Sequence, residues 1–255
     1  MAGGSLDLPV VDLASPDLKS AVDAVRKVAR MIALFCGATK KRHAMSDLDG
    51  LLEALFAESK KFFELPLEEK MLLQRNSAHR GYTAPYAEKL DASSEFQGDL
   101  KESFYIGAVG DVDMPNDPNQ WPPKERFPSW KDTMKLYHAA ALENRMENNK
   151  KFTVGEVNES DNGNYGASAH SDYGMITLLA TDGTPGLQLI THVQNICREK
   201  DRHPQLWEDV RHVDGTLIVN IGDLLERWTN CVFRSTLHRV VAVGRERYSV
   251  SILTT

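Results

Sequence analysis

An imidazole and a carboxylate stand two residues apart at His170 and Asp172, within Gly166-Ala167-Ser168-Ala169-His170-Ser171-Asp172 and just ahead of the apolar run Met175–Ala180. In extended chain, side chains at i and i+2 leave the same face, so these two can grip one cation together. A second imidazole, His238, heads the β-branched run Val240-Val241-Ala242-Val243. Two histidines and one carboxylate on one side of a metal, with the other positions open, form a donor set suited to Fe(II). Zinc or manganese fits the same nitrogen and oxygen donors. Taken singly, His170 and Asp172 also suit a polar turn before a strand, and His238 a histidine at a strand start; taken jointly they favour a metal.

The residues after His238 sharpen this reading. Val240–Val243 and Tyr248–Ile252 look like two strands joined through Gly244-Arg245. A two-residue loop would pair Ala242 with Arg247, Val240 with Ser249 and His238 with Ser251, placing His238, Arg247 and Ser249 on one face. An odd-length loop would turn the second strand over, and Arg247 would then be a solvated neighbour of Arg245 and Glu246. In the first case a planar fork of donors lies beside the metal, suited to a carboxylate held bidentately. The metal would share its cavity with a small dicarboxylate.

The H-x-D of His170–Asp172, the distal His238 and the R-x-S of Arg247–Ser249 together resemble the iron(II)/2-oxoglutarate-dependent oxygenases. The likeness is to the isopenicillin N synthase-like branch, with the gibberellin oxidases, flavonoid oxygenases and 1-aminocyclopropane-1-carboxylate oxidase. The resemblance implies Fe(II) on His170, Asp172 and His238, and the far carboxylate of 2-oxoglutarate on Arg247 and Ser249. It implies a dioxygenase that hydroxylates or desaturates a small organic metabolite with O2, cosubstrate decarboxylation to succinate, and ascorbate as an accessory. Two other outcomes stay open: a variant that binds metal or a partner without turnover, and an oxidase of the same fold that needs no 2-oxoglutarate. A family tyrosine that often contacts 2-oxoglutarate has no counterpart here; Tyr165 is too near the ligands to serve.

Composition sets the bounds. The 255 residues suffice for one substantial core, and 42% hydrophobic with 26% charged content is ordinary for a globular protein. A formal net charge of -6 argues against a nucleic-acid partner held by electrostatics. Three scattered cysteines, Cys36, Cys197 and Cys231, without any C-x-x-C, argue against a disulfide framework or thiolate zinc site. The opening Met1–Asp7 lacks the pattern of a signal peptide, and no apolar run reaches membrane-spanning length. The expectation is a cytoplasmic monomer with no membrane partner.

The elements that must position the ligands fall into two parts. Residues 1–150 read as a helical N-terminal region of the oxygenase type: a short strand at Leu8–Leu13, then helices over Asp17–Leu34, Asp47–Phe63, Leu67–Gln74 and Trp130–Asn144. Phe62, Phe63 and Leu65 read as core. Tyr82 and Phe104 read either as core or as the wall of a substrate mouth, Phe104 on an edge strand. Residues 151–255 read as a mostly β core, with strands at Met175–Ala180, Gly186–Ile190, Thr216–Asn220, His238–Val243 and Tyr248–Ile252. Short strands with frequent turns indicate a double-stranded β-helix, or jelly roll.

Against the family pattern, the stretch Leu34–His43 has no strand character, the run Leu189–Asn195 looks inserted, and the chain ends just after the R-x-S strand. These features predict an incomplete jelly roll, truncated at its C-terminus as in an alternatively spliced version, with an exposed sheet edge. Asp182, Asp214 and Asp223 read as turn formers. Cys231 reads as a small buried hydrophobe, and His43, His79, His138, His192, His203 and His212 as surface or hydrogen-bonded core histidines.

Overall fold

A computed structural model describes residues 5–12, 17–31, 34–38, 45–107, 117–142, 151–157, 165–190 and 207–254. The chain opens with β1 (Ser5–Leu6), β2 (Val10–Asp12), α1 (Leu18–Met31) and β3 (Leu34–Ala38). Helix α1 starts where Asp17 accepts a hydrogen bond from the Ser20 N–H, satisfying one of the donors that a helix start leaves open. Next come α2 (Met45–Phe63), α3 (Leu67–Met71), β4 (Gly81–Thr83), β5 (Lys101–Ile106) and α4 (Trp130–Leu142). Helix α2 stops ahead of Pro66, which has no N–H to continue the ladder.

The second half supplies β6 (Lys151–Val157), β7 (Tyr165–His170), β8 (Ile176–Thr181), β9 (Leu187–Ile190), β10 (Trp207–Val210) and β11 (Thr216–Ile221). Helix α5 (Asp223–Trp228) and strands β12 (His238–Val241) and β13 (Arg247–Thr254) complete it. The strands form two sheets, ordered β1-β10-β9-β12-β7 and β2-β3-β11-β8-β13-β6-β5-β4. The fold is a mostly β jelly roll with helices on its N-terminal part. No helix of the described residues is long and apolar enough to cross a membrane.

Alternation along β13 separates two cores. Tyr248, Val250 and Ile252 face outward into an aromatic cluster with Phe62 and Phe63 of α2, Trp130, Met134 and Tyr137 of α4, and Tyr82 and Phe104. Arg247, Ser249 and Ser251 therefore turn to the opposite face, toward the smaller sheet. Between the sheets, Leu187, Leu189 and Val210 pack on Ile218 and Leu179. The outer cluster packs on the large sheet, and the inner one joins the two sheets beside a cavity bordered by Arg247.

Several expectations are corrected. Strands β12 and β13 do not form a hairpin: β12 pairs with β7 and β9, whereas β13 pairs with β6 and β8 in the other sheet. The chain crosses between sheets through a corner where Gly244 takes φ 71°. Strand β13 is paired along both sides, so the R-x-S strand is no open edge. Leu34–Ala38 is a strand after all, held between β2 and β11, and Leu189 and Ile190 belong to β9 rather than to an insertion. Strand β5 lies between β4 and β6, and the edge is β4. Tyr82 and Phe104 sit directly opposite each other and are fully buried, so they are core and not a substrate mouth. The Tyr82 hydroxyl is tied to Glu102, which also accepts from Lys70 Nζ at 2.8 Å. Cys231 is half-buried at φ 62° in the turn after α5. His43, His192 and His203 lie outside the described residues.

Candidate metal centre

His170 closes β7 and His238 opens β12, and the antiparallel register sets them directly opposite one another. Their ring centroids are 4.3 Å apart. Asp172 lies two residues beyond β7, where its carbonyl accepts the Asp223 N–H at 2.7 Å from the start of α5. Gly222 makes this turn possible: a Cβ there would stand 2.1 Å from the Gly174 carbonyl oxygen. The Nε2 atoms of both histidines are 3.9 Å from Asp172 Oδ1, and the three donor atoms lie within 4.8 Å of one another. One small cation can bridge that spacing.

The surroundings fix which atoms face the ion. His170 Nδ1 is 2.7 Å from the Ser168 carbonyl and His238 Nδ1 is 3.0 Å from the Thr236 carbonyl. A carbonyl only accepts, so each Nδ1 carries a hydrogen and each Nε2 is the atom left to face Asp172. Burial, with His238 alongside, pushes the His170 pKa down to about 4. Burial works against the Asp172 carboxylate, but His238, the Thr177 hydroxyl, the Asn220 amide and His170 outweigh it and hold its pKa below the ordinary value. At neutral pH the set offers a neutral imidazole and a carboxylate, the states that coordination requires.

Two residues missed in the sequence support this set. Asn220 of β11 donates through Nδ2 to Asp172 Oδ2, turning Oδ1 toward the histidines. Asp99, buried at 1% exposure, accepts from the backbone and hydroxyl of Ser168 and so anchors the end of β7. The signal for Asn220 was present: a lone amide at the end of the apolar strand Thr216–Ile221. Its partner 48 residues away was not. Asp182, Asp214 and Asp223 stay outside the three-residue cluster. Asp182 caps its turn by accepting from Thr184 N–H at 2.9 Å, as a turn former should.

Arg247 and Ser249 reach the interior from the sheet opposite His238. Along β8, Ile176 pairs with Ile221 of β11 and Thr254 of β13, and Thr181 pairs with Ser249, so Arg247 lies further along the same inner face from the metal ligands. Arg247 is 3% exposed and borders a 780 Å³ cavity with Thr181, Leu187, Val210, His212, Ile218 and Val241. Its Nε is buried and has no hydrogen-bond partner among the described residues. Burial lowers its pKa, and Asp182 nearby opposes that effect. A buried guanidinium with an unmet donor is costly, and a carboxylate entering the cavity would satisfy it bidentately. Ser249 lies on the same face, directly across from Thr181 of β8. Tyr165 offers nothing to this cavity: its hydroxyl accepts from Arg239 at 3.1 Å.

The chain matches two family models: residues 8–124 fit the non-haem dioxygenase in morphine synthesis N-terminal model, and residues 143–254 fit the 2OG-Fe(II) oxygenase superfamily. Azadirone synthase LFS of Melia azedarach is 36% identical over 96% of this chain and 80% of its own length. Kihadalactone A synthase LFS of Citrus sinensis is 34% identical with the same coverage of each, 96% and 80%. Among solved structures, a full-length Neurospora crassa protein in complex with alpha-KG superimposes with a TM-score of 0.78 at 25% identity, covering 100% of this chain and 88% of that one.

Proposed function

The chain belongs to the 2OG-Fe(II) oxygenase superfamily, in its isopenicillin N synthase-like branch, and from that premise we propose that His170, Asp172 and His238 hold Fe(II) while Arg247 and Ser249 receive the distal carboxylate of 2-oxoglutarate. The protein is an Fe(II)- and 2-oxoglutarate-dependent dioxygenase that oxidises a small organic metabolite. The site assignment rests on one observation: two imidazoles and a carboxylate converge within 4.8 Å of one another, and Arg247, buried on the inner face, has an Nε without a hydrogen-bond partner among the described residues.

Bound Fe(II) and 2-oxoglutarate supply the activation of O2, with succinate and carbon dioxide as coproducts. The chain's own residues supply geometry and a dry interior. Thr236 and Ser168 carbonyls orient the imidazoles, Asn220 orients Asp172, and Leu187, Ile218 and Val241 give the cavity beside Arg247 an apolar wall. His170, Asp172 and His238 would hold the ion through Nε2, Oδ1 and Nε2.

Within the same proposal, residues 1–150 serve as the helical lead-in and 151–255 as the catalytic core, although the large sheet takes β2 to β5 from the first part. The enzyme works as a cytoplasmic monomer without nucleic-acid or membrane partners, and the net charge of -6 supports the first exclusion. The test is succinate release and O2 uptake from 2-oxoglutarate, with and without ascorbate. Chelation should abolish both and Fe(II) should restore them. Succinate formation indifferent to the chelator would sink the assignment.

A further inference from the structure

A hydrogen-bonded chain runs from the protein surface to the wall of the Arg247 cavity. Asp214, fully exposed, meets His212 Nε2 at 3.1 Å, and His212 Nδ1 meets Thr181 Oγ1 at 2.9 Å. Thr181 stands across from Ser249 on the inner face, and both Thr181 and His212 border the cavity with Arg247. We propose that Thr181 is a further contact for the distal carboxylate of the cosubstrate, and that His212 is a positioning residue that makes the hydroxyl a donor only when the imidazole is protonated. Cosubstrate binding then takes up a proton at His212. This rests on the reading of Arg247 as the carboxylate anchor.

The logic is one of counting protons. Asp214 only accepts, so Nε2 of His212 must carry a hydrogen. In the neutral imidazole Nδ1 is then an acceptor, Thr181 donates to it, and the hydroxyl shows the cavity only lone pairs. Those repel a carboxylate. In the imidazolium both nitrogens donate, Thr181 accepts from Nδ1, and its single proton is released toward the cavity. Histidine is the side chain whose charge changes readily between pH 5 and 8.

The charged neighbours give the coupling its sign. Arg247 of β13, Arg211 and Asp209 of β10 border the cavity with His212, Asp214 is bonded to its ring, and Asp182 after β8 acts on Arg247. Arg211 is itself paired with Asp7 at 3.1 Å. An arriving dicarboxylate neutralises Arg247 and tips the balance toward protonation.

The experiment is calorimetric titration of 2-oxoglutarate into the Mn(II)-loaded protein, in buffers of different ionisation enthalpy and at pH 6 to 8. The wild type should bind with net proton uptake and weaken as pH rises. His212→Gln and Thr181→Val should lose the proton uptake and bind about tenfold more weakly at the acid end, the worth of one charge-assisted hydrogen bond. Thr181→Ser should restore wild-type behaviour, and Mn(II) affinity should stay unchanged throughout. A 2-oxo acid lacking the distal carboxylate, such as 2-oxobutyrate, should bind all four proteins alike. Unchanged proton uptake in His212→Gln overturns the proposal, as does loss of Mn(II) binding in step with cosubstrate, which marks a structural role. A wild type that binds no 2-oxoglutarate at all would instead overturn the anchor reading of Arg247.

Discussion

Replacing Arg247 with methionine should make the empty protein more stable and the loaded one less so. The aliphatic stem is kept, so the cavity it shares with Leu187 and Ile218 changes little in shape. What disappears is a guanidinium at 3% exposure whose Nε has no partner among the described residues. Removing a poorly compensated buried charge in favour of an apolar side chain is neutral or stabilising by about 1–4 kcal/mol, less here because Asp182 already offsets part of the cost. In a chain of this size that corresponds to roughly 2–4 °C in Tm for each kcal/mol. The carboxylate of the cosubstrate meanwhile loses its buried counter-charge, at about 2–5 kcal/mol, or roughly 30- to 4000-fold in Kd. Differential scanning fluorimetry with Mn(II), with and without 2-oxoglutarate, reads both signs in one experiment. Wild type should gain a large ligand-dependent shift, and Arg247→Met should start at or above the wild-type Tm and gain almost none. A variant that melts well below wild type yet keeps the full ligand shift would show that Arg247 is a structural cation.

Asn220→Ala should leave the fold intact and weaken metal binding about 10- to 100-fold, the usual effect of removing a group that orients a ligand; competition against a fluorescent chelator reads this, and unaltered affinity counts against the orienting role. Gly222→Ala forces a Cβ to within 2.1 Å of a backbone oxygen in the turn that carries Asp172, so both stability and metal affinity should fall, by about 1–3 kcal/mol in denaturant midpoint analysis. Full metal affinity in that variant would mean the turn can open without moving Asp172. The pKa of His170 is about 4 in the fold against 6.5 unfolded, so the unfolded chain binds more protons between those values. Stability of the metal-free protein should therefore hold above pH 6.5 and fall by about 3 kcal/mol as pH drops toward 4. Asp172, also lowered, adds to the loss below that. His170→Gln should flatten the slope between pH 6.5 and 4.5, and an unchanged slope would place its origin elsewhere.

The ligand set was legible because its geometry is local in part: an i, i+2 pair in extended chain shares a face whatever the fold. His238 was legible from its strand context. Arg247 and Ser249 were found by a register argument whose premise fails. The sequence cannot distinguish a tight hairpin from a corner that carries the chain to the facing sheet. Arg247 remains a candidate on other grounds: alternation along β13 turns it away from the outer aromatic cluster and toward the facing sheet. Strand Leu34–Ala38 escaped notice because its conformation is imposed by β2 and β11, which arrive from 24 residues before and about 180 after. Tyr82 and Phe104 were ambiguous since an aromatic residue suits a core or a ligand wall equally; the packing of α2 and α4 decides. His212 passed as an ordinary histidine because Thr181 lies 31 residues upstream, a separation without a local pattern.

Anomalous diffraction from crystals loaded with Mn(II) and 2-oxoglutarate locates the metal without reference to turnover. One peak per chain is expected within bonding distance of His170 Nε2, His238 Nε2 and Asp172 Oδ1, with the distal carboxylate of the cosubstrate on Arg247. A metal bound elsewhere, or through Nδ1 of either histidine, would contradict the assignment of these three residues as the iron ligands.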